Sequence, residues 1–258
     1  MHIHILAIGD LVGKGGMEVL RRQLPILQKE HAISFTVVNG ENAATLGITP
    51  RQADGLFDMG VDCITLGNHT WSKKEIIPYL DENSSILRPL NFAPQVAGRG
   101  YHIFKREFGS IMVINAIGRC HMDFGPDNPF LAVDALLQTE QADIVLLDFH
   151  AEASSEKLAM AYFLDGRVTA LWGTHTHVQT SDAAVLPKGT GYISDLGMTG
   201  PRHSVLGVMP EQSISMFLGN PRTRFEEAAG ALKLEGAIFT IDTESKRCIA
   251  VKEIRVYD

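Results

Sequence analysis

The sequence is poor in the features that mark several classes of protein. Its three cysteines, Cys63, Cys120 and Cys248, lie far apart and form no C-x-x-C pair. That excludes a disulfide framework or a dithiol redox motif and reads as free thiols in a reducing compartment. No run approaches the ~20 apolar residues that a membrane span needs. The start, MHIHILAIGD, carries neither a basic leader nor a cleavage site, so a soluble cytoplasmic protein is expected. Positive charge is in deficit, with 23 Lys and Arg against 30 Asp and Glu and a net charge of −7. Such a chain has no global field to draw in polymeric nucleic acid. A small anion would need a local positive centre instead, such as a metal or a helix N-terminus. Familiar nucleotide and hydrolase motifs are missing too. GDLVGKGG (9–16) resembles a P-loop, but Gly13-Lys14 follows Gly9 too closely and Gly15 stands where Ser or Thr is required. No G-x-G-x-x-G opens a helix, and neither H-E-x-x-H nor G-x-S-x-G occurs. The glycines after Asp10 are expected to let backbone approach the site and to begin a helix whose N-terminus faces phosphate.

What is present is an ordinary globular composition, 45% apolar and 21% charged over 258 residues, enough for a core without cross-links. Five strand-length runs rich in Ile, Val, Leu or Thr stand out at 3–8, 35–39, 63–67, 143–149 and 168–173. Helical patterns separate them. Residues 17–30 space Leu20, Leu24 and Leu27 on one face, with Pro25 as a kink. Thr49, Pro50 and Gly60 mark the cap, first turn and stop of a second helix. A third follows Ser72 and is interrupted by Pro78, and further helices are expected at 127–141 and 154–166. This alternation predicts an α/β architecture. Residues 100–117 read as a hairpin and 184–194 and 231–257 as further strands, so mixed pairing in two packed sheets is expected. With no repeat or linker, residues 1–258 read as a single domain. His2 and His4 read as polar positions on an edge strand.

Each of the five strands ends in polar residues: Asp10 after the first, Glu41-Asn42 after the second, Asn68-His69 after the third, His150 at the fourth, His175 and His177 at the fifth. Sites in α/β sheets form outside the carboxyl ends of strands, where loops converge. In an extended THTH segment His175 and His177 would point the same way, roughly 6.6 Å apart. Asp10, Glu41, Asn42, Asn68, His150, His175 and His177 are too many ligands for one tetrahedral zinc. They suit two ions of the Zn, Fe, Mn or Co type bridged by a carboxylate. Neighbours in an extended stretch face opposite ways, which frees His69 from the metal to face substrate. Arg119-Cys120-His121 and His203 are peripheral candidates with no assigned role.

At these residues the sequence resembles the metallophosphoesterase (calcineurin-like) superfamily, whose blocks GD, GNH and THTH appear in order. Two departures stand out. Val12 replaces the histidine of D-x-H, and GEN replaces the second G-D. Both belong to one subgroup, the YmdB-like phosphodiesterases, which VNGENAA, TLGNHTW, DFHAEASSEK, GTHTHVQT and DLGMTGP also resemble. The resemblance implies a four-layer α/β/β/α sandwich of two mixed sheets flanked by helices. It implies Asp10, Asn42 and His177 on one metal, Asn68, His150 and His175 on another, Glu41 bridging, and His69 as proton donor. Asn42 would fill the place that Val12 cannot. It further implies hydrolysis of cyclic nucleotides, above all 2′,3′-cyclic ones, with iron or manganese. Rival readings are a metal-bound regulatory nucleotide binder and a broad phosphomonoesterase; a homo-oligomer is left open.

Overall fold

The computed structural model describes residues 1–122, 125–220 and 224–258. In chain order the elements are β1 (His2–Ile8), β2 (Asp10–Leu11), α1 (Gly13–Glu30), β3 (Ile33–Asn39), α2 (Pro50–Asp58), β4 (Cys63–Thr65), α3 (Ile76–Glu82) and β5 (Ile86–Leu87). Then follow β6 (Tyr101–Arg106), β7 (Gly109–Ile117), α4 (Pro129–Thr139), β8 (Ile144–His150), α5 (Ser154–Leu164) and β9 (Ala170–Thr174). The last are β10 (Ala184–Val185), β11 (Gly191–Ile193), β12 (Met198–Pro201), α6 (Pro210–Phe217), β13 (Leu232–Asp242) and β14 (Arg247–Tyr257).

Two mixed sheets result. One runs β2-β12-β13-β1-β3-β4-β5 with β14 on β13, and the other β10-β11-β9-β8-β7-β6. The β1-β3-β4-β5 and β7-β8-β9-β11 blocks are parallel, so their carboxyl ends share one edge of each sheet. Three apolar clusters define the layers. Leu20, Leu24, Leu27 and Leu56 pack helices on the outer face of the first sheet. Ile5, Phe35, Val113, Leu146, Trp172 and Phe239 fill the space between the sheets. Met112, Leu147, Met160 and Leu164 join the second sheet to α4 and α5. The expected four layers are present, and two fully buried parallel strands, β4 and β8, read in the sequence as continuous apolar runs for that reason.

Local chemistry accounts for most element boundaries. Thr49 accepts from Gln52 N and the Gln52 side chain returns the bond, a complete capping box. Asn128 caps α4 through Phe130 N and Leu131 N. The expected kink at Pro25 does not break α1, which runs unbroken through it and begins at Gly13. Pro78 lies in the first turn of α3, where its missing N–H is tolerated. His2 and His4 are not on an edge: β1 lies between β13 and β3, and His4 Nδ1 meets Thr240 Oγ1 at 3.2 Å.

Candidate metal centre

The ends of β1, β3, β4, β8 and β9 converge, and all seven expected ligands meet there. Oxygen and nitrogen atoms of Glu41, His150 and His175 lie within 4.8 Å of one another. His150 Nε2 is 3.2 Å from Glu41 Oε1, 2.9 Å from Asn68 Oδ1 and 3.1 Å from His175 Nδ1. At the same Glu41 oxygen, Asn42 Nδ2 is 3.2 Å from Oε1, and it is 3.3 Å from His177 Nε2. Asp10 Oδ2 accepts the His175 backbone N–H, whereas Oδ1 is buried without a hydrogen bond and faces His177 Nε2 at 3.7 Å. Glu41 Oε1 thus meets both His150 and Asn42, while Asp10 touches His175 through its backbone N–H and His177 through its ring. An orphaned buried carboxylate oxygen facing an imidazole, among oxygen and nitrogen donors, fits a hard or borderline cation. Gly67 makes the approach possible, since a Cβ there would sit 2.3 Å from Glu41 Oε2 and 2.4 Å from the His150 ring.

The charges are strongly coupled. Burial pushes the Asp10 carboxyl up to about 6, against the pull of His177 and His150. Burial also opposes ionisation of Glu41, but His150 and then His69 outweigh it and hold Glu41 below the usual carboxylate range. Burial disfavours charge on His150, yet Glu41, Asp10 and Asp148 reverse this and lift it to about 9. Burial and the neighbouring His150 push His175 down to about 3.

Behind these side chains lies a polar network that sequence reasoning missed. The Thr174 hydroxyl donates to Asp148 Oδ1 at 2.7 Å, so its lone pair accepts from His150 Nδ1 at 2.9 Å. In the neutral ring this holds the proton on Nδ1 and leaves the Nε2 lone pair facing the centre. Asp148 is buried and raised in pKa by that burial, and it also accepts from Thr65 and Asn39. A buried ion pair, Lys157 Nζ to Asp195 Oδ2 at 2.7 Å, supports the THTH loop, because Asp195 also accepts from Thr176 N and Gly197 N. Glu152, likewise missed, places Oε2 3.2 Å from His175 Nε2.

Three expectations were right about position and wrong about reason. His175 and His177 do not converge through strand alternation: β9 ends at Thr174, and both have positive φ, 102° and 62°. Asn68 and His69 lie in a turn, not an extended stretch, and Asn68 Nδ2 is 3.2 Å from His69 Nε2. The N-terminus of α1 does not face phosphate. Its Lys14 and Gly15 N–H groups bind the Glu227 carboxylate at 2.9 and 2.6 Å. The glycines serve that clamp, since a Cβ on Gly13 (φ +64°) would sit 2.3 Å from the same carboxylate. Arg119 and Cys120 are exposed, and their backbone N–H groups bind Glu156. His203 is exposed in the segment after β12.

A cavity of about 570 Å³ opens over the centre, and Glu41, Asn42, His69, His175 and His177 contribute to its lining. Leu46, Lys73, Leu206, Val208, Arg224 and Phe225 also line it. These wall residues come from loops remote in sequence, and no spacing rule brings them together.

The layered sheets with oxygen and imidazole side chains at the converging strand ends are the metallophosphoesterase arrangement. NAD nucleotidase from Haemophilus influenzae shares the fold, with a TM-score of 0.62 at 12% identity over 99% of this chain and 56% of that one. A crystal structure described as a novel phosphatase, from Mycoplasma pneumoniae, matches with a TM-score of 0.95 and 34% identity, over 100% of this chain and 94% of that one. The 2′,3′-cyclic-nucleotide 2′-phosphodiesterase of Bacillus subtilis is 41% identical over 99% of this chain and 98% of its own length. Residues 6–254 match the YmdB-like protein family, and the chain belongs to it.

Proposed function

We propose that residues 1–258 act as one unit, a two-metal phosphodiesterase that hydrolyses 2′,3′-cyclic nucleotides at the 2′ bond. The observation that supports this reading is the convergence of five strand ends on one cavity, with Glu41 in contact with both His150 and Asn42. In it Asp10, Asn42 and His177 hold one ion, Asn68, His150 and His175 the other, and Glu41 bridges. The donor set suits iron or manganese. Bound cations there supply Lewis acidity toward the phosphoryl oxygens and an activated water nucleophile. The 41% identical Bacillus subtilis protein carries the matching name. Three unpaired cysteines suit a reducing cytoplasm, and no helix among the described residues is long and apolar enough to cross a membrane.

The chain's own residues do the rest. His69 lines the cavity, and its backbone N–H binds Glu41 Oε2 at 3.1 Å, which ties its loop to the bridging carboxylate. In this reading its imidazole protonates the ribose O2′ as the P–O2′ bond breaks and a water oxygen takes its place on phosphorus. General acid help of this kind contributes about 10²–10⁴ in rate. A purely regulatory nucleotide binder would need no such donor. Lys73 and Arg224 add the cations that a dianionic phosphomonoester requires, so monoester turnover belongs in the same assay.

The test replaces His69 by Ala. Metal content should be retained by elemental analysis, and turnover of 2′,3′-cyclic AMP should fall about 10²-fold or more. The loss should shrink for bis(p-nitrophenyl) phosphate, whose phenolate leaves without a proton. Equal losses on both substrates, or loss of metal, would remove His69 from the chemistry.

A further inference from the structure

The cavity lining includes large apolar side chains as well as a cluster of carboxylates, amides and imidazoles. Leu46, Leu206 and Phe225 are 52%, 50% and 40% exposed there. Half-exposed large apolar groups facing one cavity rimmed by polar residues mark a ligand surface rather than a core. The wall is also anchored. Leu206 and Gly207 form a tight turn with φ of 54° and 99°, and the Leu206 carbonyl is 3.1 Å from His177 Nδ1. Ala228 N binds Gly207 O and Met209 N binds Glu226 O, so the segment bearing Phe225 runs alongside that turn. Glu227, two residues on, is locked into the N-terminus of α1 by Lys14 N and Gly15 N. The helix end therefore serves the site by holding this segment in place.

We propose that Phe225, with Leu206 and Leu46, forms the nucleobase subsite, taking the base against the Phe225 ring while the phosphate lies over Glu41 and the histidines. This deepens the function proposed above and rests on it. Among the described residues, Lys73 and Arg224 beside the wall form no ion pair. Their charge therefore complements an anionic ligand in a chain of net charge −7. A stacking wall accepts any base through its π-face, so the subsite selects for the presence of a base more than for its identity.

The experiment compares 2′,3′-cyclic AMP with methyl riboside 2′,3′-cyclic phosphate, which has the same reacting ring and no base. In Phe225→Ala the KM for the nucleotide should rise about tenfold with kcat little changed, in line with base–aromatic stacking. Kinetics on the base-free ester should match wild type, which also shows that the variant is folded. Phe225→Tyr should restore the nucleotide KM. An unchanged nucleotide KM in Phe225→Ala, or an equal loss on both esters, overturns the subsite while leaving the phosphodiesterase reading intact. A metal-loaded wild type inert on both esters overturns both readings.

Discussion

Replacing Thr174 by Val keeps the shape of a fully buried side chain and removes its hydroxyl, which links His150 to Asp148. Thr174 Oγ1 donates to Asp148 Oδ1 at 2.7 Å and accepts from His150 Nδ1 at 2.9 Å. In the variant His150 Nδ1–H and Asp148 Oδ1 lose these bonds, at a cost of about 1–3 kcal/mol for each group left unsatisfied. Asp148 is cushioned by Thr65 and Asn39. His150, fully buried, gains no replacement, and the ring is free to take the other tautomer with its proton on Nε2, facing the centre. The part of the cost that falls on His150 should weaken metal binding by about 10–100-fold, the usual effect of removing the partner of a ligating imidazole. Calorimetric titration of chelator-stripped protein with Mn²⁺ reads this directly, and Thr174→Ser should recover most of the affinity. Wild-type affinity in a folded Thr174→Val protein would refute the tautomer argument. So would a serine variant as damaged as the valine one.

Two further outcomes follow from the buried charges. His150 rises from an ordinary 6.5 to about 9 when no cation is bound; its contribution to stability of the metal-free protein is therefore full below about pH 6.5 and lost as pH rises through about 9. Metal must displace that proton, so affinity should rise by up to about tenfold per pH unit between pH 7 and 8.5, with proton release seen as a buffer-dependent binding enthalpy; a flat profile would contradict the His150 assignment. Lys157→Met strands Asp195, which keeps only two backbone N–H partners for its carboxylate, and should lower urea-unfolding stability by about 3 kcal/mol; a loss below about 1 kcal/mol would mean that the amides alone satisfy Asp195.

The parts of this fold that were legible share a cause. β3 and β8 are seven residues long and β9 five, and their buried residues carry a dense apolar signal against which the polar residue at or just after each end is conspicuous. β2, β5 and β12 are two to four residues long and have no pattern of their own; β5 pairs with β4, β12 with the start of β13, and β2 with β12. The helix α6 was missed because only Ser213 in it is buried, leaving no apolar stripe to read. For the site, residue identities could be read at the strand ends but backbone conformation could not. His175 and His177 occupy left-handed conformations that strand alternation cannot foresee. The glycines after Asp10 suggested an anion at α1, and the anion is there as Glu227, more than 200 residues away in sequence. Thr174 was visible as part of THTH, but its role needs Asp148, whose acidity in an apolar run was the one available signal. Phe225 and Arg224 carried none, being loop residues placed by tertiary contacts alone.

The central claim is that this site opens a 2′,3′-cyclic phosphate at the 2′ bond, and identification of the product of 2′,3′-cyclic AMP tests it most directly. Metal-loaded protein should yield adenosine 3′-phosphate, separated by chromatography from its 2′ isomer, and chelator-stripped protein should yield neither. Formation of the 2′ isomer, or no product from protein with metal in place, would contradict the account.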